Sequence, residues 1–255
     1  MKTSDSKEII VRYSIAFAIA LITFIAGIFL GLSLAKKDIF IVGISENNLQ
    51  ANLFELETTI KFIENDICDD KLIKDFGIDL DKVGQELEAL QNRLFVSKDE
   101  YQFLKNYYYS LEINHYLLLK KAGQLCNKTF IFIFYFYRPI EECPKCYNEG
   151  LYLTVLKQKY KDLVQIYNFN LDDYNKSILL KKMLIKYNIN PNKEAPILII
   201  NGKKYYYLSK EELENLVKKI ISNSLNKEIV NKSNKNKLFN ETNSKSAIEK
   251  INNTS

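Results

Sequence analysis

From Tyr13 to Ala35 the chain carries no charged residue, and Ile, Leu, Phe and Ala dominate the run. No other stretch restricts the fold as tightly. As a helix rising about 1.5 Å per residue it reaches about 34 Å, enough to cross a hydrocarbon core of about 30 Å. A buried helix of a soluble domain would show a polar face, and this run has none. A signal peptide has a shorter apolar stretch, about 7–15 residues, so residues 13–35 read as an uncleaved single-pass anchor, with cleavage after Ala35 left open. Lys2, Lys7, Arg12 and the amino terminus precede the span, whereas only Lys36 and Lys37 follow it closely. That balance favours a short cytoplasmic segment, residues 1–12, and puts the bulk of the chain outside the cytoplasm.

Residues 36–126 read as a linker followed by a small helical region. Leu49, Leu53, Leu56, Ile60, Ile63 and Ile67 recur at alternating spacings of four and three. The same spacing returns at Val83, Leu87, Leu90 and Leu94, and at Leu104, Tyr108, Leu111, His115 and Leu118. Each stripe buries one face of a helix against a partner. Ser97 with Glu100 has the pattern of a capping box at the start of the last helix. Gly77 and the acidic cluster Asp66, Asp69 and Asp70 mark the expected breaks.

The pattern changes at Thr129. Thr129-Phe-Ile-Phe-Ile-Phe-Tyr-Phe-Tyr137 is a continuous aromatic and β-branched run, suited to a strand buried on both faces. A helix is expected through 151–160, a strand over 162–169 and a second helix over 177–187. The stretch 196–207 reads as two strands around Asn201-Gly202, the strongest short hairpin signal. Ser209 with Glu212 caps a last amphipathic helix carrying Leu213, Leu216, Val217, Ile220 and Ile221. Strand, helix, strand, helix, hairpin and helix over 127–224 imply an α/β domain, a mixed sheet flanked by helices. Residues 225–255 are rich in Asn, Lys and Ser and read as a disordered tail, because such a composition buries too little surface to offset the entropy of ordering.

Composition narrows the function classes. The 36 basic and 31 acidic residues leave a net charge of only +5 and are interleaved before the tail. A nucleic-acid footprint wants Lys and Arg clustered on one element, so no nucleic-acid partner is expected. Four cysteines are too few to hold a chain of 255 residues together as a framework. Two of them stand in a C-x-x-C, which points to reactivity instead of stapling.

Cys143-Pro-Lys-Cys146 falls just after the first strand, at the expected start of a helix. A thiol there faces the positive end of the helix dipole and free backbone N–H groups, which stabilise its thiolate. Pro144 suits the first helical position, where no N–H is needed. Lys145 adds a nearby cation, whereas Glu141 and Glu142 oppose the thiolate. Cys143 is then the nucleophile and Cys146 the resolving thiol, one turn deeper.

The order strand, CPKC, helix, strand, helix, Ala195-Pro196, hairpin, helix resembles the thioredoxin superfamily, over roughly residues 129–222. The resemblance implies a thioredoxin-like domain behind the transmembrane helix and the small helical region. It implies Cys143 as attacking thiol and Cys146 as resolving thiol. Pro144, Lys145, Ala195 and Pro196 would belong to the substrate-docking surface, with a cis bond before Pro196. The proline after the first cysteine is more similar to glutaredoxins and periplasmic disulfide oxidoreductases than to thioredoxin itself. Two departures stand out. The family's buried acid in the strand before the cysteines has no counterpart in 129–137, so proton transfer to Cys146 would need water or another group such as Glu141. The usual first strand and helix are also missing.

The competing reading of the motif is a structural pair or half of a zinc site, but a Cys₄ site usually joins two close pairs, and Cys68 and Cys126 are far apart. Those two read either as a stabilising disulfide or as buried free thiols, with a relay to Cys143 and Cys146 as a third option. His115, on an apolar stripe, reads as a packed core histidine. The function expected is a single-pass membrane thiol–disulfide oxidoreductase acting on protein thiols or disulfides, needing no dissociable cofactor and served by a membrane redox partner. The alternative is a membrane-tethered interaction protein whose helical region binds a partner while the thioredoxin-like domain is a non-catalytic scaffold.

Overall fold

Proline is absent from the chain before Pro139, so nothing removes a backbone donor from the helices ahead of it. The computed structural model describes residues 3–91, 97–193 and 195–224, with side chains described for 12–31 and from 48 onward within those ranges. Leu94 and the tail at 225–255 lie outside the described residues. Helix α1 runs unbroken over Thr3–Ile63, 61 residues. The linker expected after residue 36 is therefore helical, as the absence of proline permits. Within α1 the stretch Arg12–Gly31 has a mean hydropathy of 2.4 and none of it is buried, so it is long and apolar enough to cross a membrane.

A short 3₁₀ turn at Glu64–Asp66 ends α1. Helix α2 spans Asp70–Gln91 and α3 spans Lys98–Cys126. The acidic cluster is a true break: the Asp69 carboxylate accepts from the N–H groups of Lys71 and Leu72 at 2.8 and 3.1 Å, capping α2. Gly77 is not a break, because α2 passes through it. A Cβ there would sit 3.6 Å from the His115 ring, in ordinary van der Waals contact, so this face of α2 packs against His115. Tertiary packing overrides the helix penalty of about 1 kcal/mol that glycine carries.

The chain divides into two compact units, one comprising the chain up to Thr58 with Asp79–Tyr108, the other Thr59–Ile78 with the chain from Tyr109 on. Each long helix contributes to both, so residues 59–78 and 109–126 belong with the sheet and not with a separate helical domain. In the first unit Leu49, Leu53, Leu56, Leu80, Val83, Leu87, Leu90 and Leu104 are buried. The Asn52 amide donates to Glu86 at 3.3 Å, and the Tyr107 hydroxyl donates to Glu57.

The second unit is built on a four-stranded sheet of order β2-β1-β3-β4. Strand β1 (Ile131–Tyr137) is followed by α4 (Pro144–Tyr160) and returns to β2 (Val164–Asn170) in parallel. Helix α5 (Ile178–Lys186) leads to β3 (Ile197–Ile200) and β4 (Lys203–Tyr206), both antiparallel to their neighbours. A last helix, α6, occupies 210–224. Between β3 and β4, Asn201 and Gly202 have φ of 47° and 84°, the left-handed pair that a two-residue hairpin of this hand requires. Ser209 and Glu212 exchange the hydrogen bonds of a capping box at α6.

Alternation along β1 sends its side chains to opposite faces. Ile131, Ile133 and Tyr135 cluster with Leu153 and Leu156 of α4 and with Leu213 and Val217 of α6. Phe132 and Phe134 meet Tyr116 of α3 edge-on, with ring centroids 4.9 and 5.0 Å apart. Phe134 is buried, which contributes about 1.5–3 kcal/mol, while Phe132 and Tyr116 are half-buried. Strand β2 forms an open edge, and α3 covers it. The Asn168 N–H donates to the Glu112 carboxylate at 3.1 Å, and the Asn170 N–H donates to the Tyr109 hydroxyl at 3.1 Å. Alternate outward-facing donors of the edge are thereby taken by one helix, which keeps another strand from adding there.

Candidate active site

Strand β1 delivers the chain to the turn Arg138-Pro139-Ile140, where the Cys143 N–H donates to the Pro139 carbonyl at 2.9 Å. Cys143 then stands at the N-cap of α4, and its sulfur accepts from the Cys146 N–H at 3.1 Å. Pro144 occupies the first turn, where its missing N–H costs nothing. Cys143 and Cys146 are joined in a disulfide with Cα atoms 5.2 Å apart. Cys143 retains 7% of its surface and Cys146 only 2%, so the first sulfur is the more accessible of the two.

Charges around the pair are not arranged as sequence neighbours alone imply. Glu142 is paired with Arg138 at 2.6 Å, and Arg138 also meets Asp172 at 3.1 Å. That cation offsets the carboxylate nearest Cys143 in sequence. Lys145 is exposed and leans over the Tyr207 ring, 5.8 Å from its centroid. Glu141 is also exposed. The Ala195–Pro196 bond is cis, and Ala195 packs against the cluster that contains both cysteines. Cys143, Pro144, Cys146 and Ala195 thus share one locality, with Pro196 buried at the start of β3 and Lys145 in solvent at its rim.

The residue that sequence reading passed over is Glu149. It is fully buried, three positions after Cys146 on α4. Its Oε2 accepts from the Leu208 N–H at 2.9 Å, while Oε1 is buried with no hydrogen-bond partner. Burial pushes the carboxyl up to about 7; the Leu208 N–H works against this and the Glu212 carboxylate adds to it. Tyr135 reaches across from β1, and its hydroxyl donates to the Cys146 carbonyl. Burial, then the Glu149 charge, raises the Tyr135 phenol far above its ordinary range. The signal in sequence was the spacing Cys146-x-x-Glu149, which puts both on one face of the helix.

Cys68 and Cys126 form a second disulfide, Cα atoms 5.5 Å apart, tying the turn after α1 to the end of α3. Of the readings left open for them, the structure holds the disulfide. His115 is buried between Phe76 and Tyr167, its ring 5.3 and 5.9 Å from theirs. Burial, with the Lys157 charge adding to it, lowers its pKa to about 3, so it packs as a neutral ring. Glu112 and His115 face the α3 side of the sheet, and Glu149 the α4 side.

No protein-family model matches the chain, and no curated protein matches it. Function is read from the chemistry of the site.

Proposed function

We propose that this chain is a thioredoxin-like thiol–disulfide oxidoreductase, anchored in a membrane by residues 13–35, with its sheet unit outside the cytoplasm. The observation that carries the reading is a disulfide closing only a three-residue separation at the N-cap of a helix that follows a buried strand. In the reduced form the Cys143 sulfur keeps the Cys146 N–H and the helix dipole as stabilisers of a thiolate, which lowers a thiol pKa below its ordinary value of about 8.5. That thiolate attacks a disulfide of a protein substrate, a mixed disulfide forms on Cys143, and Cys146 resolves it. The reverse sequence donates the disulfide to a substrate dithiol. Ala195 and Pro196, with Pro144 and Lys145, form the docking surface in this reading. A membrane electron carrier resets the pair. Order of elements supports the thioredoxin-like assignment: the parallel β1-α4-β2 unit, the antiparallel β3-β4 hairpin led in by Pro196, and the closing helix.

The test is the full chain carrying Cys146→Ser, expressed in membranes and resolved on non-reducing gels. Cys143 should accumulate mixed disulfides with substrate proteins, released by reductant and absent from a Cys143→Ser, Cys146→Ser double variant. A trap that captures nothing would favour the non-catalytic scaffold instead. The same membranes test the anchor, since the chain should resist alkaline carbonate extraction.

A further inference from the structure

Resolution of a mixed disulfide requires Cys146 to lose a proton in a site where it is 2% exposed. A buried thiol is a poor nucleophile until a base takes that proton. Strand β1 offers no carboxylate, and Glu141 lies in solvent. One buried carboxylate does share the face of α4 that carries Cys146. Residues three apart on a helix stand with Cβ atoms about 5–6 Å apart, a gap within the reach of a glutamate side chain. Glu149 is fully buried and uses only one of its two oxygens, the other having no partner among the protein groups around it. A buried carboxylate oxygen left unpaired carries the desolvation penalty of its charged form with nothing to offset it. A proton-accepting role gives that buried, unpartnered lone pair something to do.

We propose that Glu149 accepts the Cys146 proton when the mixed disulfide on Cys143 is resolved, and returns it when the pair is reduced. This inference rests on the oxidoreductase reading. The Cys143 thiolate attacks the substrate disulfide; a Cys143–substrate S–S bond forms, the substrate S–S bond breaks, and the first substrate thiolate leaves. The Cys146 S–H proton passes to the unpartnered Glu149 oxygen. The Cys146 thiolate attacks the Cys143 sulfur; the Cys143–Cys146 bond forms and the second substrate thiolate leaves. The substrate disulfide is reduced to two thiolates, the cysteine pair is oxidised, and the proton rests on Glu149. Groups facing this carboxyl are Tyr135 from β1, Tyr207 and the Leu208 N–H after β4, and Glu212 on α6. Burial holds the Glu149 proton to near neutrality, with the Leu208 N–H opposing and the Glu212 carboxylate adding to it.

An aryl disulfide that releases a coloured thiolate separates the steps. On the full chain in detergent, with the Cys143–Cys146 pair reduced and Cys68–Cys126 oxidised, the first release reports Cys143 attack and the second reports resolution by Cys146. In the wild type the second phase should accelerate as pH rises through about 7, where Glu149 ionises. Glu149→Gln, which keeps an acceptor for Leu208, should slow the second phase by about a hundredfold, the low end for a lost acid–base group. It should also erase that pH step, while the first phase stays within about twofold of wild type. Glu149→Asp should restore part of the rate and the step. A glutamine variant with unchanged resolution rate and pH profile overturns the proposal and leaves the oxidoreductase reading standing. Absence of the first phase in the wild type removes both. Should the glutamine variant not fold, the infrared carboxyl band of the wild type decides: it must titrate near neutrality and shift when the pair is oxidised, and a band indifferent to the pair's redox state overturns the proposal.

Discussion

The two disulfides of this protein are the same bond in opposite settings. Cys68–Cys126 closes a separation of 58 residues and ties the end of one helix to the turn after another. Cys143–Cys146 closes a separation of 3 at a helix N-cap, with a buried carboxyl three residues further along the same helix. A cross-link acts on the unfolded chain in proportion to the loop it closes, so the first has the leverage of a staple. The second has little such leverage, and in the proposed function its reactivity comes from the amide and the dipole at the helix start. Sequence separation predicts which bond stabilises; local electrostatics predicts which bond reacts.

The largest expected effect lies in reactivity. Cys143→Ser should lower disulfide exchange with a protein substrate to background, since a lost nucleophile costs up to about six orders of magnitude. Cys68→Ser with Cys126→Ser should leave exchange within about twofold when assayed below the melting transition. Comparable losses from both changes would show that the first pair also takes part in electron transfer, and the division drawn between the bonds would fail.

Stability should rank them the other way. Opening Cys68–Cys126 by the double serine change should cost about 4 kcal/mol by the loop-closure relation. Removing Cys143–Cys146 should cost clearly less. Urea denaturation of the full chain in detergent, with and without each pair, measures both. A larger loss from the short loop would mean that native contacts, and not chain entropy, set what each bond is worth.

The smallest expected effect is in pH dependence, and it has opposite signs on the two sides of the sheet. His115, on the helix that ends in Cys126, is held near 3 by burial with Lys157 adding to it. Between about 6.5 and 3 the unfolded chain binds a proton that the folded chain refuses, so stability falls as pH drops through that window. His115→Phe should flatten the loss by about 2 kcal/mol between roughly pH 7 and pH 5. Glu149, on the helix that begins beside Cys143, is raised to about 7. Its contribution is fully present below about 4.5 and is lost as pH rises through 7. Denaturation midpoints of the two variants across pH give both slopes. Slopes of the same sign would contradict the placement of a neutral histidine on one face and a protonated acid on the other.

Several elements could be read from order and composition because their causes are local. An uncharged apolar run needs no partner to declare its length, and Arg12–Gly31 stands in one long helix. The aromatic run of β1, the Asn-Gly hairpin and the Ser209–Glu212 cap follow from pleat, left-handed φ and a hydroxyl facing free N–H groups. The cysteine pair was legible for the same reason, since strand-then-helix context and a proline at the first helical position lie within a few residues of it. Gly77 misled, because a local cost of about 1 kcal/mol does not stop a helix that buries Ile73, Phe76 and Leu80 on either side of it.

What stayed hidden depends on neighbours distant in sequence. The pairing of Cys68 with Cys126 needs two helices to meet. Coverage of the β2 edge needs Tyr109 and Glu112 to arrive opposite Asn170 and Asn168. Above all, Glu149 reads in the sequence as one more acidic residue on a charged helix. Only the packing of α4 on the sheet, which buries the carboxyl and leaves Oε1 without a partner, raises it to about 7 against the opposing Leu208 N–H. Side-chain type and spacing decide which helices and strands form, because those forces act within a turn or a pleat. Desolvation decides which of their groups have unusual chemistry, and it exists only once the layers close.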